Sequence, residues 1–126
     1  MVMNDILGSV LSDINNSEKA GKKECTVHSS KLAMQVLTLM HEHNYIGEFE
    51  KTPENKINVK LLGNINKCNV IKPRYPFKKD NVEKYEKRYL PSKGFGMIIV
   101  STSKGVMPLE KSRELNVGGR LLSYVY

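Results

Sequence analysis

Apolar residues recur at helical spacing from the start of the chain. Ile6, Leu7, Val10, Leu11 and Ile14 fall on one stripe, as in a helix that buries one face. Asn4 or Asp5 suits its N-cap, and Gly21 is available beyond its end. The opposite side carries Ser9, Ser12, Asn15, Asn16 and Lys19, short hydrogen-bonding groups rather than the long Glu/Lys pairs of an ordinary solvated face. Lys23 to Val27 predicts a short strand. HSSKLAMQVLTLMHEH then opens a second helix, capped by Ser29 or Ser30, with Leu32, Ala33, Val36, Leu37 and Met40 along one stripe. Past a break at Asn44, YIGEFEK, NKINVKLLG and KCNVIKP are β-rich segments separated by turn-prone PEN and GN. That is the pattern of antiparallel strands joined by hairpins.

The pattern is interrupted at PRYP, where Pro73 and Pro76 mark a boundary between lobes expected at 1–72 and 73–126. DNVEKYEKRYL reads as a charged helix with Val82, Tyr85 and Tyr89 on one side, ended by Pro91. MIIV is a continuous apolar run, as expected of a strand buried on both faces. It runs straight into Ser101, Thr102, Ser103, Lys104 and Gly105, after which PLEKSREL reads as a helix with Pro108 at its first position. Asn116, Gly118 and Gly119 stop that helix, and RLLSYVY predicts a closing strand. The fold class is therefore α+β. An N-terminal α/β lobe with a small sheet precedes a mostly β C-terminal lobe with short helices. No internal repeat or low-complexity linker separates the lobes, so they are expected to be rigidly apposed.

Composition narrows the function. At 126 residues the chain is too short for most enzymes that need a separate substrate domain. With no Trp and only three Phe, its core must come largely from Ile, Leu, Val and Met. Cys25 and Cys68 lack a close partner and read as structural thiols in a reducing, cytoplasmic compartment. No leader-like segment and no apolar run of membrane-spanning length is visible, so a soluble, unprocessed protein is expected. The net charge of +7 points to a polyanionic partner, and its distribution sharpens the point. Between Lys72 and Lys104 nine basic residues face three acidic ones, so most of the excess sits in one quarter of the chain.

Several catalytic readings fail on spacing. Ser101 and Lys104 match the S-x-x-K of serine acyl-transfer enzymes, but the companion S-D-N and K-T-G elements are missing. The lysine precedes Gly105, which is the wrong order for a triphosphate-binding P-loop. Cys25 and His28 have the spacing of half a zinc site, but no second Cys pair follows, and His41 and His43 face different sides of a helix. Glu48, Glu50, Glu110 and Glu114 show no apolar pocket that would tune them for acid/base work. No catalytic residue, metal site or cofactor is expected.

What remains suits RNA. The Ser101–Gly105 stretch offers hydroxyls for bases, sugars and the 2′-hydroxyl, a lysine for phosphate and a glycine for close backbone approach. It is read as lying immediately ahead of a helix, whose free N–H groups favour anions. Hydroxyls are short, so such contacts require a fitted surface rather than a loose polybasic tether.

IKPRY, KYEKRYLPSKGFGMIIVSTSKGVM and the ending NVGGRLLSYVY resemble small-subunit ribosomal protein eight in its archaeal and eukaryotic form. NDILGSVLSDINN and the SSKL-helix-NYIGEFE order extend the resemblance over essentially the whole chain. It implies a non-catalytic protein that binds the central domain of small-subunit rRNA early in assembly, beside neighbouring ribosomal proteins, in the cytoplasm and as a monomer away from the particle. It also implies a β-α-β-β lobe preceded by a helix, and a mostly β second lobe. The family's main RNA-contacting loop maps onto Ser101, Thr102, Ser103, Lys104 and Gly105, and its glycine turn onto Gly118 and Gly119. Supporting contacts map near Ser12, Asn16, Ser30 and Lys31. Where bacterial members commonly carry Thr or Asp after the loop, this chain has Pro108-Leu109, and KDNVEKYEKRYLPSKGFG also departs from bacterial forms. The same loop would serve translational self-repression through an rRNA-like structure in the protein's own mRNA. An alternative of another class is a scaffold whose basic segment binds acidic protein partners.

Overall fold

The computed structural model of the chain describes residues 6–71, 75–78, 82–91 and 96–126. The cap expected at Asn4 or Asp5, the Pro73 break, the side chain of Val82 and the basic residues Lys72, Arg74, Lys79 and Lys93 lie outside what is described. The chain divides into two compact units, Met1–Asn69 and Val70–Tyr126.

The first unit runs α1 (Ile6–Lys19), β1 (Glu24–His28), α2 (Lys31–Glu42), β2 (Ile46–Lys51) and β3 (Lys56–Leu61). In α1 the expected apolar stripe is the buried one, through Leu7, Val10, Leu11 and Ile14, while Ile6 is exposed. Ser30 caps α2, its hydroxyl accepting from the Ala33 N–H at 3.0 Å, and Ala33, Val36, Leu37 and Met40 form the buried stripe. Asn44 turns the chain out of the helix at φ 63°, a left-handed conformation that Asn tolerates better than most residues. The strands form an antiparallel sheet of order β1-β3-β2. Alternation then puts Cys25, Val27, Ile57 and Val59 inward, and leaves Glu24, Thr26, His28 and Lys56 in solvent. At the end of α1, the Glu18 carboxylate accepts backbone N–H bonds from Gly63 at 3.2 Å and Ile65 at 3.0 Å, fixing the segment that leaves β3.

The chain passes into the second unit within β4 (Cys68–Val70), and continues through β5 (Pro76–Phe77), α3 (Val82–Tyr89), β6 (Met97–Thr102), β7 (Gly105–Pro108), α4 (Leu109–Glu114) and β8 (Gly119–Val125). The sheet order is β4-β8-β6-β7, with β5 also paired to β8. Met97 to Val100 are all buried, as the unbroken MIIV run requires. A register shift between Ile99 and Val100 leaves Leu122 of β8 as the extra residue between Leu121 and Ser123. Such a bulge deepens the local twist and lets consecutive side chains turn inward. A core of Ile71, Phe77, Tyr85, Ile98, Val100, Met107, Leu109, Leu121 and Tyr124 fills one face. Tyrosines thus contribute to a core expected mainly from aliphatic residues. Two short strands, β5 and β7, differ from the sequence reading. Pro76 begins β5 at the sheet margin, where a missing N–H is tolerated, and Gly105–Pro108 is too short to carry a readable period.

Candidate nucleic-acid interface

The hydroxyl-rich stretch is the tip of the β6-β7 hairpin. Thr102 pairs with Gly105 across a turn whose two central residues are Ser103 and Lys104. The Thr102 hydroxyl donates to the Gly105 carbonyl at 2.9 Å and accepts from the Lys104 N–H at 3.1 Å. Its hydrogen is therefore spent inside the turn, and Thr102 acts as a staple. Ser103, Lys104 and Gly105 are exposed, and Ser101 is half-buried. Gly105 holds φ at +115°, and a β-carbon there would meet nothing within 4 Å. Its requirement for glycine is thus conformational rather than steric within the protein.

One expectation is corrected here. The turn does not open onto a helix N-terminus, because β7 intervenes before α4, and Pro108 is the N-cap rather than the first helical residue, with no side-chain cap bond. The positive φ at Gly105 sends the chain back along β6, so Val106 pairs with Ser101 and Met107 with Val100. The tip must meet a ligand with its own side chains and turn backbone.

The two glycines of the NVGG sequence lie beside this hairpin. Gly119 pairs with Thr102 in the β6·β8 register, and a β-carbon on it would stand 2.1 Å from the Ser101 carbonyl oxygen. Gly118 lies against β5, where an added β-carbon would come within 2.8 Å of the Phe77 carbonyl oxygen. Gly119 therefore lets β8 close on β6 immediately below the tip. The next residue, Arg120, is exposed and pairs across the strands with Ser101. Sequence reasoning passed over Arg120, because its place beside the hairpin follows from antiparallel register alone.

In the first unit Ser12 and Asn16 are exposed one helical turn apart on α1. The neighbouring Asn15 is committed internally, its Oδ1 accepting from the Cys68 N–H at 3.4 Å. Asn16 borders an open cleft that also holds Asp13, Lys22 and Glu24, a mixed-charge environment suited to neutral hydrogen-bonding groups better than to phosphate. Ser30 has its capping role, and Lys31 is exposed beside it at the start of α2. No hydrogen bond joins the Ser12/Asn16 pair to Ser30 or Lys31 among the described residues.

The other reactive groups are placed apart. Cys25 faces the core and His28 faces solvent on alternate sides of β1. Cys68 is buried, donates its thiol to the Leu11 carbonyl at 3.4 Å, and has its pKa pushed up to about 12 by burial and by the charge of Glu18. Such a thiol is inert as a nucleophile or metal ligand. Among the described residues no helix is long and apolar enough to cross a membrane.

The arrangement is a stapled hairpin whose exposed tip offers a hydroxyl and an ammonium. The family model for ribosomal protein S8 matches residues 5–126. The chain belongs to the ribosomal protein S8 family. Family membership makes it a non-enzymatic component of the small ribosomal subunit that binds rRNA and works among other ribosomal proteins. Within that family the exposed hairpin tip and its glycine-lined neighbour are the candidate RNA-facing elements of the second unit.

Proposed function

We propose that the chain is a primary rRNA-binding protein of the archaeal and eukaryotic type, which docks the β6-β7 hairpin on the central domain of small-subunit rRNA and supports early assembly. The observation that carries this reading is the hairpin tip. Ser103 and Lys104 are exposed on a turn that Thr102 staples from inside and that Gly119 allows to sit tightly against β8. A preorganised turn loses little conformational freedom on binding, so a short hydroxyl there discriminates shape while a lysine contributes charge. Ser101 and Gly105 flank the tip, Gly118 and Gly119 bound it, and Ser12, Asn16, Ser30 and Lys31 give the first unit a supporting set of contacts. The archaeal and eukaryotic assignment rests on KYEKRYLPSKGFG and on Pro108-Leu109 after the hairpin.

The test is nucleotide protection on whole small-subunit rRNA by the full chain at several salt concentrations. Protection of one compact region of the central domain is expected, weakening as salt rises because neutralised phosphates release counterions. Ser103→Ala should weaken that protection without moving it. Diffuse protection, or protection indifferent to Ser103, would overturn the assignment of the hairpin.

A further inference from the structure

Helix α3 and the residue that precedes β5 build a second surface unlike the hairpin. Lys84, Lys87 and Arg88 are exposed on the helix. The described acidic side chain of the same helix, Glu86, is only 11% exposed and is bound by Arg113. The ion pair draws that carboxylate inward, so the exposed charged side chains described on α3, Lys84, Lys87 and Arg88, are all cationic.

Against these cations stands a set of ordered aromatic rings. The Arg88 guanidinium carbon lies 5.4 Å from the ring centroids of both Tyr75 and Tyr89. Each of those half-buried rings is backed by another. Tyr75 stacks on Tyr85 with centroids 6.0 Å apart, and Tyr89 lies 5.5 Å from Tyr124. Tyr85 is itself buried, donates its hydroxyl to the Pro76 carbonyl at 3.4 Å, and carries the Lys84 ammonium 5.6 Å from its ring centroid. Stacking backed by packing holds Tyr75, Tyr89 and Arg88 in place before any ligand arrives.

Rigid aromatic rings interleaved with fixed cations have a specific chemical complement. An unpaired nucleobase presents a π-face to tyrosine or guanidinium, and its phosphates pair with adjacent lysines. Tyrosine and arginine also anchor protein interfaces, but lysine is depleted there, and the exposed Lys84 and Lys87 beside these rings favour a phosphate-bearing ligand. We propose that the Tyr75–Arg88–Tyr89 cluster is a second RNA-binding site, which stacks an unpaired base of a single-stranded segment while Lys84 and Lys87 hold its phosphates. It is independent of the hairpin, with its own residues and its own class of RNA.

The experiment measures binding of the full chain to a single-stranded oligoadenylate of about twelve nucleotides containing one 2-aminopurine, whose fluorescence is quenched by stacking. The parent should bind and quench it. Arg88→Ala and Tyr75→Leu should each weaken binding roughly thirtyfold, the middle of the range for losing one stacked base, whereas Tyr75→Phe should bind within about twofold because its π-face remains. Thermal unfolding checks each variant, and Arg88→Ala, at an exposed position, keeps the test decisive if Tyr75→Leu proves unstable. Ser103→Ala in the hairpin should leave oligoadenylate binding unchanged. The proposal fails if the parent does not bind, if Arg88→Ala binds as the parent does, or if Tyr75→Phe loses as much as Tyr75→Leu. It also fails if an oligoglutamate peptide of equal charge displaces the RNA as well as unlabelled oligoadenylate does, since the site would then read charge alone. Loss of binding through Ser103→Ala alone would assign the oligonucleotide to the hairpin, overturning this site while leaving that one standing.

Discussion

Gly119 lies so close to Ser101 that a β-carbon on the glycine would stand 2.1 Å from the serine's carbonyl oxygen. The glycine therefore sets the spacing of β6 and β8 beneath the hairpin tip. Gly119→Ala must push the two strands apart, and the expected loss is at least about 2 kcal/mol of folding stability, measured by chemical denaturation. An unchanged midpoint would show that the strands were never so closely apposed.

Gly105 calls for a different outcome. With φ at +115° and open space around the position of a β-carbon, Gly105→Ala should lose roughly 1–3 kcal/mol through backbone strain rather than collision. If the tip also meets RNA backbone there, RNA affinity in the fully folded variant should fall as well. Equal stability of the alanine variant and the parent would contradict the left-handed turn.

Ser103 and Lys104 separate shape from charge. Ser103→Ala should leave folding within about 0.5 kcal/mol of the parent, and weaken cognate RNA binding by roughly 1–3 kcal/mol by leaving a polar group unpaired in the interface. Lys104→Ala should instead reduce the slope of log affinity against log salt by about one, with little change in sequence preference. Titrations at several ionic strengths distinguish the two, and identical behaviour of both variants would remove the distinction drawn between them.

Glu18 secures the exit from β3 by accepting N–H bonds from Gly63 and Ile65. Hydrogen bonds to a charged acceptor are stronger than neutral ones, so Glu18→Ala should destabilise the protein by about 1.5–3 kcal/mol. Glu18→Gln, which keeps one acceptor oxygen, should lose less. Amide hydrogen exchange at Gly63 and Ile65 should accelerate in parallel, and slow exchange there in the alanine variant would show that other groups hold the segment.

Cys68 has its thiol pKa raised from an ordinary 9.0 to about 12. Above the ordinary value the unfolded chain releases this proton while the folded protein retains it, so the unfolded state binds fewer protons and stability falls with rising pH. The contribution is complete below about pH 9, and is lost progressively as pH climbs to about 12. Between about pH 8 and about pH 11, the parent should therefore lose more stability than Cys68→Ala does. Equal alkaline slopes for the two proteins would rule out the buried thiol as a contributor.

Much of the fold follows from local pattern. The apolar stripes of α1 and α2, the Ser30 cap, the turn at Asn44 and the unbroken MIIV run each depend on chemistry within a few residues of themselves. They are legible for that reason. The Ser101–Gly105 stretch was likewise marked by its own composition, and the NVGG glycines by a resemblance of motif. Tertiary structure decided what depends on register and distance. It placed β7 between the hydroxyl stretch and α4, because a positive φ at Gly105 reverses the chain. It committed the Thr102 hydroxyl to the turn, set Arg120 beside Ser101, drew Glu86 toward Arg113, and brought Tyr75 against Arg88, which its sequence neighbour Tyr89 also flanks. Residues distant in sequence become neighbours only when strands pair and helices pack, and the energies that choose those partners belong to the whole arrangement rather than to any short segment.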